Sequence, residues 1–179
     1  MTIMKNFRTV FTACWNISDM DRVNRIYNHP LWQSSLREIE ELERDRIFCR
    51  HDAEHFFDVA RLAYIENLEK GLGFPKENIY AASLLHDIGR HLEYKEGISH
   101  EEGSAMLAET ILSDCGFDEE EQREITQAIL SHRKEESGSA EDMAGLIFRA
   151  NKKSRMCMIC SAQRECKWSD EKKNLEITI

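Results

Sequence analysis

Apolar residues recur at helical spacing along nearly the whole chain, and no segment shows the sustained alternation of a half-buried strand. Over residues 31–48, Leu36, Ile39, Leu42 and Ile47 are separated by acidic and basic residues, which predicts a helix with one wet face and Pro30 near its first turn. Phe56, Val59, Ala60, Ala63, Tyr64 and Leu68 form a stripe over about residues 52–70, and Gly71 and Gly73 supply the stop. Pro75 opens a helix carrying Ile79, Ala82, Leu85 and Ile88, with Gly89 beyond it. Ser99-x-x-Glu102 and Asp118-x-x-Glu121 have the spacing of capping boxes. They introduce stripes at Ala105, Ala108, Ile111 and Leu112, and at Ile125, Ala128 and Ile129. A last helix is expected over about residues 140–155 through Met143, Leu146, Ile147 and Ala150, after a polar, Gly/Ser-containing loop at 134–141. Phe7, Val10, Phe11, Cys14 and Trp15 predict a short docking helix near the start. Together these elements make an all-α, single-domain bundle of six to eight helices with an irregular C-terminal tail.

Composition narrows the function classes. The chain has 179 residues, 41% hydrophobic and 32% charged, enough for one domain with a substantial core. A net charge of −9 argues against general nucleic-acid binding, although a metal and a few local cations still allow a small phosphorylated substrate. No apolar stretch approaches the roughly 20 residues of a membrane span, and residues 7–15 are too short and interrupted for a signal peptide. Six cysteines without a dense framework suit a reducing compartment, so a cytoplasmic location is expected.

Candidate chemistry collects at the edges of the helical stripes. His86-Asp87 closes the apolar run Ala81-Ala82-Ser83-Leu84-Leu85. His55 precedes Val59 by four and shares its inward face, His100 follows the Ser99 cap, and His132 ends the stripe through Ile129. Adjacent residues diverge by about 100° on a helix, so His86 and Asp87 reach one ion only if the backbone loosens at Ile88-Gly89. Neutral imidazole with carboxylate is a ligand set that transition metals favour. A carboxylate bridging imidazoles on either side would hold two cations about 3.5–4 Å apart. His29 and His91 carry no such support and are expected to be solvated.

His55-Phe56-Phe57-Asp58-Val59-Ala60, Leu84-Leu85-His86-Asp87-Ile88-Gly89-Arg90 and Ala150-Asn151-Lys152-Lys153-Ser154-Arg155 together resemble the HD-domain superfamily of metal-dependent phosphohydrolases, over about residues 50–156. The pattern is most similar to the small bacterial HD hydrolases, including dinuclear-iron nucleotide hydrolases, and the Gly-Tyr-Pro signature of the cyclic-dinucleotide branch is missing. The resemblance implies that His55, His86, Asp87 and a late residue hold one metal, and that His100 and His132 hold a second. It divides the chain into N-terminal helices (1–48), an HD-like metal-binding core (49–156) and a Cys-containing tail (157–179). The late position is aspartate in the family and Asn151 here, a neutral and weaker donor.

The implied activity is hydrolysis of a nucleotide or other small phosphate ester through one or two divalent ions (Fe, Mn, Co or Zn). Arg90, Arg133, Lys152 and Arg155 are the candidates to hold phosphate oxygens. Asp87 serves as ligand and bridge, and His51 and Asp52, one turn before His55, are candidate proton acceptors. The alternative is a catalytically weakened HD module that binds a phosphorylated ligand, with Asn151 marking the loss; an oxygenase using an iron pair is more remote. Cys157-x-x-Cys160 with Cys166 offers three thiolates for a separate zinc or iron–sulfur site, Cys49 being the available fourth ligand if the tail folds back beside the His55 helix. Free thiols are the simpler reading of those cysteines. Trp168 is expected to pin the tail to the bundle.

Overall fold

The computed structural model describes residues 20–177, so the docking helix expected at residues 7–15 lies outside the described residues. The described chain is all-α, with eight helices: α1 (Asp21–Asn28), α2 (Pro30–Leu42), α3 (Ala53–Lys70), α4 (Lys76–Leu85), α5 (Arg90–Glu96), α6 (His100–Cys115), α7 (Glu119–Ser131) and α8 (Met143–Lys153). Three short 3-10 turns lie at Glu135–Ser139, Cys157–Ile159 and Asp170–Lys172. No described helix is long and apolar enough to cross a membrane.

Most helix ends sit where local chemistry puts them. Asp52 caps α3 by accepting from His55 N at 3.0 Å, and Gly71 stops it in the left-handed region, φ 63°. The capping box of α7 is complete: Asp118 Oδ1 accepts from Glu121 N at 2.9 Å and Glu121 Oε2 accepts from Asp118 N at 3.0 Å. At α6 only half of the expected box forms, Ser99 Oγ accepting from Glu102 N at 3.3 Å. Asp118→Ala is expected to cost about 1 kcal/mol, read in chemical denaturation as a lower midpoint with unchanged slope.

Three expectations from periodicity need correction. The helix over residues 31–48 stops at Leu42, and Leu42 and Ile47 are 47% and 62% exposed. Its buried stripe is Trp32, Leu36 and Ile39, and the Trp32 indole donates to Leu84 O at 2.8 Å, fastening α2 to α4. Leu68 likewise faces water, while its neighbours Glu66 and Asn67 are buried. The apparent loop at 134–141 contains a 3-10 turn, and α8 begins only after Asp142, whose side chain accepts from Gly145 N at 2.8 Å. Two short helices, α1 and α5, were not expected. Each spans only about two turns, and α1 buries only Val23 and Ile26.

Packing makes α4 the hub: α1, α3, α6, α7 and α8 all touch it. Every residue from Ala81 to Gly89 is therefore buried, and the carboxyl end of α4 opens into the middle of the bundle. The tail after α8 folds back across the start of α3. Arg155 Nη1 donates to Arg50 O at 3.0 Å, Asn174 Nδ2 donates to the carbonyls of Lys152 (2.7 Å) and Arg155 (2.8 Å), and the Lys152 ammonium lies 5.0 Å from the Trp168 ring.

Candidate metal centre

The α4 helix ends at Leu85, and residues 86–89 form turns before α5 begins. That break frees consecutive residues from helical divergence, so His86 and Asp87 face one centre. His55 arrives from the first turn of α3, His100 from the first residue of α6, and His132 from the residue after α7. All are buried.

Asp87 is the axis. Its Oδ2 lies 3.2 Å from His86 Nε2, 3.6 Å from His51 Nε2 and 3.9 Å from His55 Nε2. Its Oδ1 lies 3.2 Å from His100 Nε2, 3.7 Å from His132 Nε2 and 3.2 Å from Arg90 Nε. Two groups of ligand atoms, each within 4.8 Å throughout, share this carboxylate: His55, His86 and Asp87, and Asp87, His100 and His132.

Partners on the far nitrogens decide what the near ones can do. His86 Nδ1 meets Ser83 O at 2.7 Å and His132 Nδ1 meets Ile129 O at 2.6 Å. His100 Nδ1 meets the Glu93 carboxylate at 3.1 Å, and His55 Nδ1 meets Ser154 Oγ at 3.2 Å. Carbonyls and carboxylates only accept, and the Ser154 hydroxyl already donates to Asn151 O, so Nδ1 carries the proton and Nε2 presents its lone pair to the centre. Burial lowers the pKa of His86, and burial with the Arg155 charge lowers that of His55 well below 6.5. Burial takes His100 to about 3. Burial works to raise the Asp87 pKa, but Arg90 and then His86 hold it well below the usual carboxylate range. The carboxylate of Asp87 thus faces neutral imidazoles at His55, His86 and His100, the protonation state that metals require.

The fit to a cation is tested by what is left unsatisfied. Nε2 of His86, His100 and His132 and both oxygens of Asp87 are buried without a hydrogen bond. Orphaned polar atoms each cost about 1–3 kcal/mol, and five converging at one point are rare in a native fold. All five carry lone pairs, so bound cations would satisfy them together. His55 differs: its Nε2 stands 3.1 Å from Arg155 Nη2, which gives up that contact when the lone pair binds metal.

The remaining residues singled out by sequence are distributed as follows. Arg155 is buried beside His55, and Arg90 bonds to the Glu93 carboxylate at 3.4 Å besides facing Asp87. Arg133 is exposed and paired with Glu101 at 3.4 Å. The Lys152 ammonium lies 5.3 Å from the Phe148 ring and 5.0 Å from the Trp168 ring. Asn151 is half-buried one turn before Arg155, and its carbonyl accepts from Ser154 Oγ at 2.9 Å. Asp52 is occupied as the cap of α3, and His51 is buried against Glu43 and Asp87. The expectation that His29 and His91 are solvated is corrected. His91 is buried with Nδ1 3.1 Å from Ile88 O, and His29 caps α2, its Nδ1 accepting from Leu31 N at 3.2 Å. The folded-back tail brings Cys157 and Cys160 near Cys49, where burial and their charges raise the Cys49 pKa. Those thiols belong to neither tight ligand group among the described residues.

Glu43, Glu93 and Tyr94 escaped the sequence reading. Glu43 lies in an acidic run (Glu38, Glu40, Glu41) and is spaced like a solvated residue, yet only it is buried, its Oε1 accepting from the Tyr94 hydroxyl at 2.5 Å. A cavity of 240 Å³ lined by Glu40, Glu43, Arg50, His51 and Asp52 opens beside it.

A helical bundle that converges histidines from three further segments on a His-Asp pair is the architecture of a metal-dependent phosphohydrolase family. The chain belongs to that family: the HD domain model matches residues 52–175. It is also similar to an uncharacterized protein of Clostridium beijerinckii, 46% identical over 158 residues that cover 88% of this chain and 99% of the relative. No solved structure gives a significant match.

Proposed function

We propose that the protein hydrolyses a small phosphate ester, a nucleotide or a compound of that kind, at a centre holding one or two divalent ions of Fe, Mn, Co or Zn. The observation that carries this reading is the buried Asp87 carboxylate, both oxygens free of hydrogen bonds and ringed by imidazole Nε2 atoms. Asp87 with His55, His86 and the weaker donor Asn151 would hold one ion, and Asp87 with His100 and His132 the other. When bound, such ions lower the pKa of water toward neutrality and offset charge on phosphoryl oxygens. The chain supplies the rest. Arg155, released from His55, and Arg90 would hold phosphate oxygens by bidentate contacts. Arg133 and Lys152, further out, contribute at the rim. The net charge of −9 supports a small substrate over a nucleic acid, and a cytoplasmic setting suits the unpaired thiols.

A second reading is a binding module that has lost turnover. It is favoured by Asn151 and by the hydrogen bond between Arg155 and the His55 lone pair. Elemental analysis of protein purified without chelator, followed by a phosphate-release screen over nucleotides with Mn²⁺ or Fe²⁺, separates the two. The expected result is at least one equivalent of transition metal per chain and release from at least one nucleotide. A metal-loaded but inert chain that gains turnover as Asn151→Asp would establish the module instead.

A further inference from the structure

We infer that His51 is itself a metal ligand of this centre, joining His55, His86 and Asp87 Oδ2 on the side where Asn151 replaces a carboxylate. The inference rests on the metal-centre reading above and adds a residue to it.

Four observations carry it. Of the three imidazoles within 4 Å of Asp87 Oδ2, His51 Nε2 at 3.6 Å is nearer than His55 Nε2 at 3.9 Å, although His51 stands outside the tight group of His55, His86 and Asp87. Its ring continues the arc of the others: centroids are 5.6 Å apart for His51 and His55, 5.4 Å for His55 and His86, 5.1 Å for His86 and His132, and 5.5 Å for His132 and His100. It is as buried as the assigned ligands. Its far nitrogen is tied as closely as that of His86, Nδ1 lying 2.7 Å from Glu43 Oε1, and its backbone is held by the same carboxylate, His51 N donating to Glu43 Oε2 at 2.8 Å.

The last contact settles the chemistry. Both Glu43 oxygens are engaged as acceptors, Oε1 by the Tyr94 hydroxyl at 2.5 Å and Oε2 by His51 N at 2.8 Å. As a carboxylate Glu43 only accepts, so the neutral His51 ring donates from Nδ1 and turns an unprotonated Nε2 toward Asp87 Oδ2. Two lone pairs facing each other at 3.6 Å in a buried site repel unless a cation lies between them. Carboxylate–histidine–metal is the arrangement that fixes the tautomer of a ligand and raises its basicity. Glu43 gives His51 what Glu93 gives His100, and a strengthened imidazole offsets the weak Asn151 donor.

The test titrates chelator-stripped protein with Co²⁺ alone, followed by visible absorption and calorimetry, for the native chain, His51→Gln and Glu43→Gln. Glu43→Gln is expected to weaken Co²⁺ binding about 10–100-fold and His51→Gln at least as much, with a changed ligand-field spectrum in both. If both variants bind Co²⁺ as the native chain does, the assignment is overturned, whatever happens to turnover; a proton-transfer role would lower turnover and leave affinity alone. Should His51→Gln fail to fold by circular dichroism, Glu43→Gln decides the matter. A native chain that binds no Co²⁺ instead refutes the metal-centre reading itself.

Discussion

Asp87→Asn is expected to strip the protein of bound metal and to lower phosphate release by about 10³-fold or more. The carboxylate is the only group common to both sets of ligand atoms, and the remaining members of those sets are neutral imidazoles. Arg90 and Arg155 already bring positive charge to the centre. Without Asp87 nothing among the ligands offsets the charge of an incoming cation. Loss of several kcal/mol of charge stabilisation, at about 1.4 kcal/mol per tenfold, gives that factor. Elemental analysis of the purified variant and its rate on the best nucleotide are the two measurements. Asparagine keeps the shape of the side chain, and circular dichroism of chelator-stripped samples controls for folding. Full metal occupancy in the variant would mean that the centre is built around some other residue.

Gly89→Ala carries the largest expected effect on stability. A Cβ there would lie 2.1 Å from Ser104 N and 2.3 Å from the Gly103 carbonyl carbon, both backbone atoms of α6. Neither can yield without moving the helix that carries His100. Gly89 N also donates to Ser104 Oγ at 2.9 Å, so displacement costs a buried hydrogen bond. Overpacking of this kind typically costs 1–3 kcal/mol and sometimes more, and we expect about 3 kcal/mol. For a chain of this size that lowers Tm by roughly 6–12 °C. Gly103→Ala is the internal comparison: its Cβ would meet Gly89 O and the Leu92 side chain at 3.1 Å, a tolerable contact, so about 1 kcal/mol is expected. A Gly89→Ala protein that melts with the native chain would show that the α4–α5 corner and α6 are not locked together. The two variants ranking the other way round would show the same.

The close approach at Gly89 also explains why the His-Asp pair works. Leu84 and Leu85 bury the end of α4, and the turn at 86–89 redirects the chain before α5, allowing neighbouring side chains to face the same centre. The sequence showed the need for that break, since two consecutive residues on a continuous helix diverge. It did not show α5, because seven residues with one buried histidine leave no periodic signature. His91 was misjudged for the same reason. Exposure was inferred from the lack of a stripe, whereas the corner itself buries the residue against Ile88.

The amphipathic stripes, the caps Asp52, Ser99 and Asp118, and the combination of His55, His86-Asp87, His100 and His132 are determined by local sequence. They depend on period, on side chains within three or four residues, and on the family pattern, and all can be read along the line of the chain. Tertiary structure alone decided that Trp32 and not Leu42 faces the core, that Glu43 leaves its acidic neighbours to hold His51, and that the tail returns to place Arg155 on His55 and Arg50. These contacts join residues 8 to 105 positions apart. A glutamate that packs inside and one that stays in water have the same local sequence signature, and only the opposing surface makes them different.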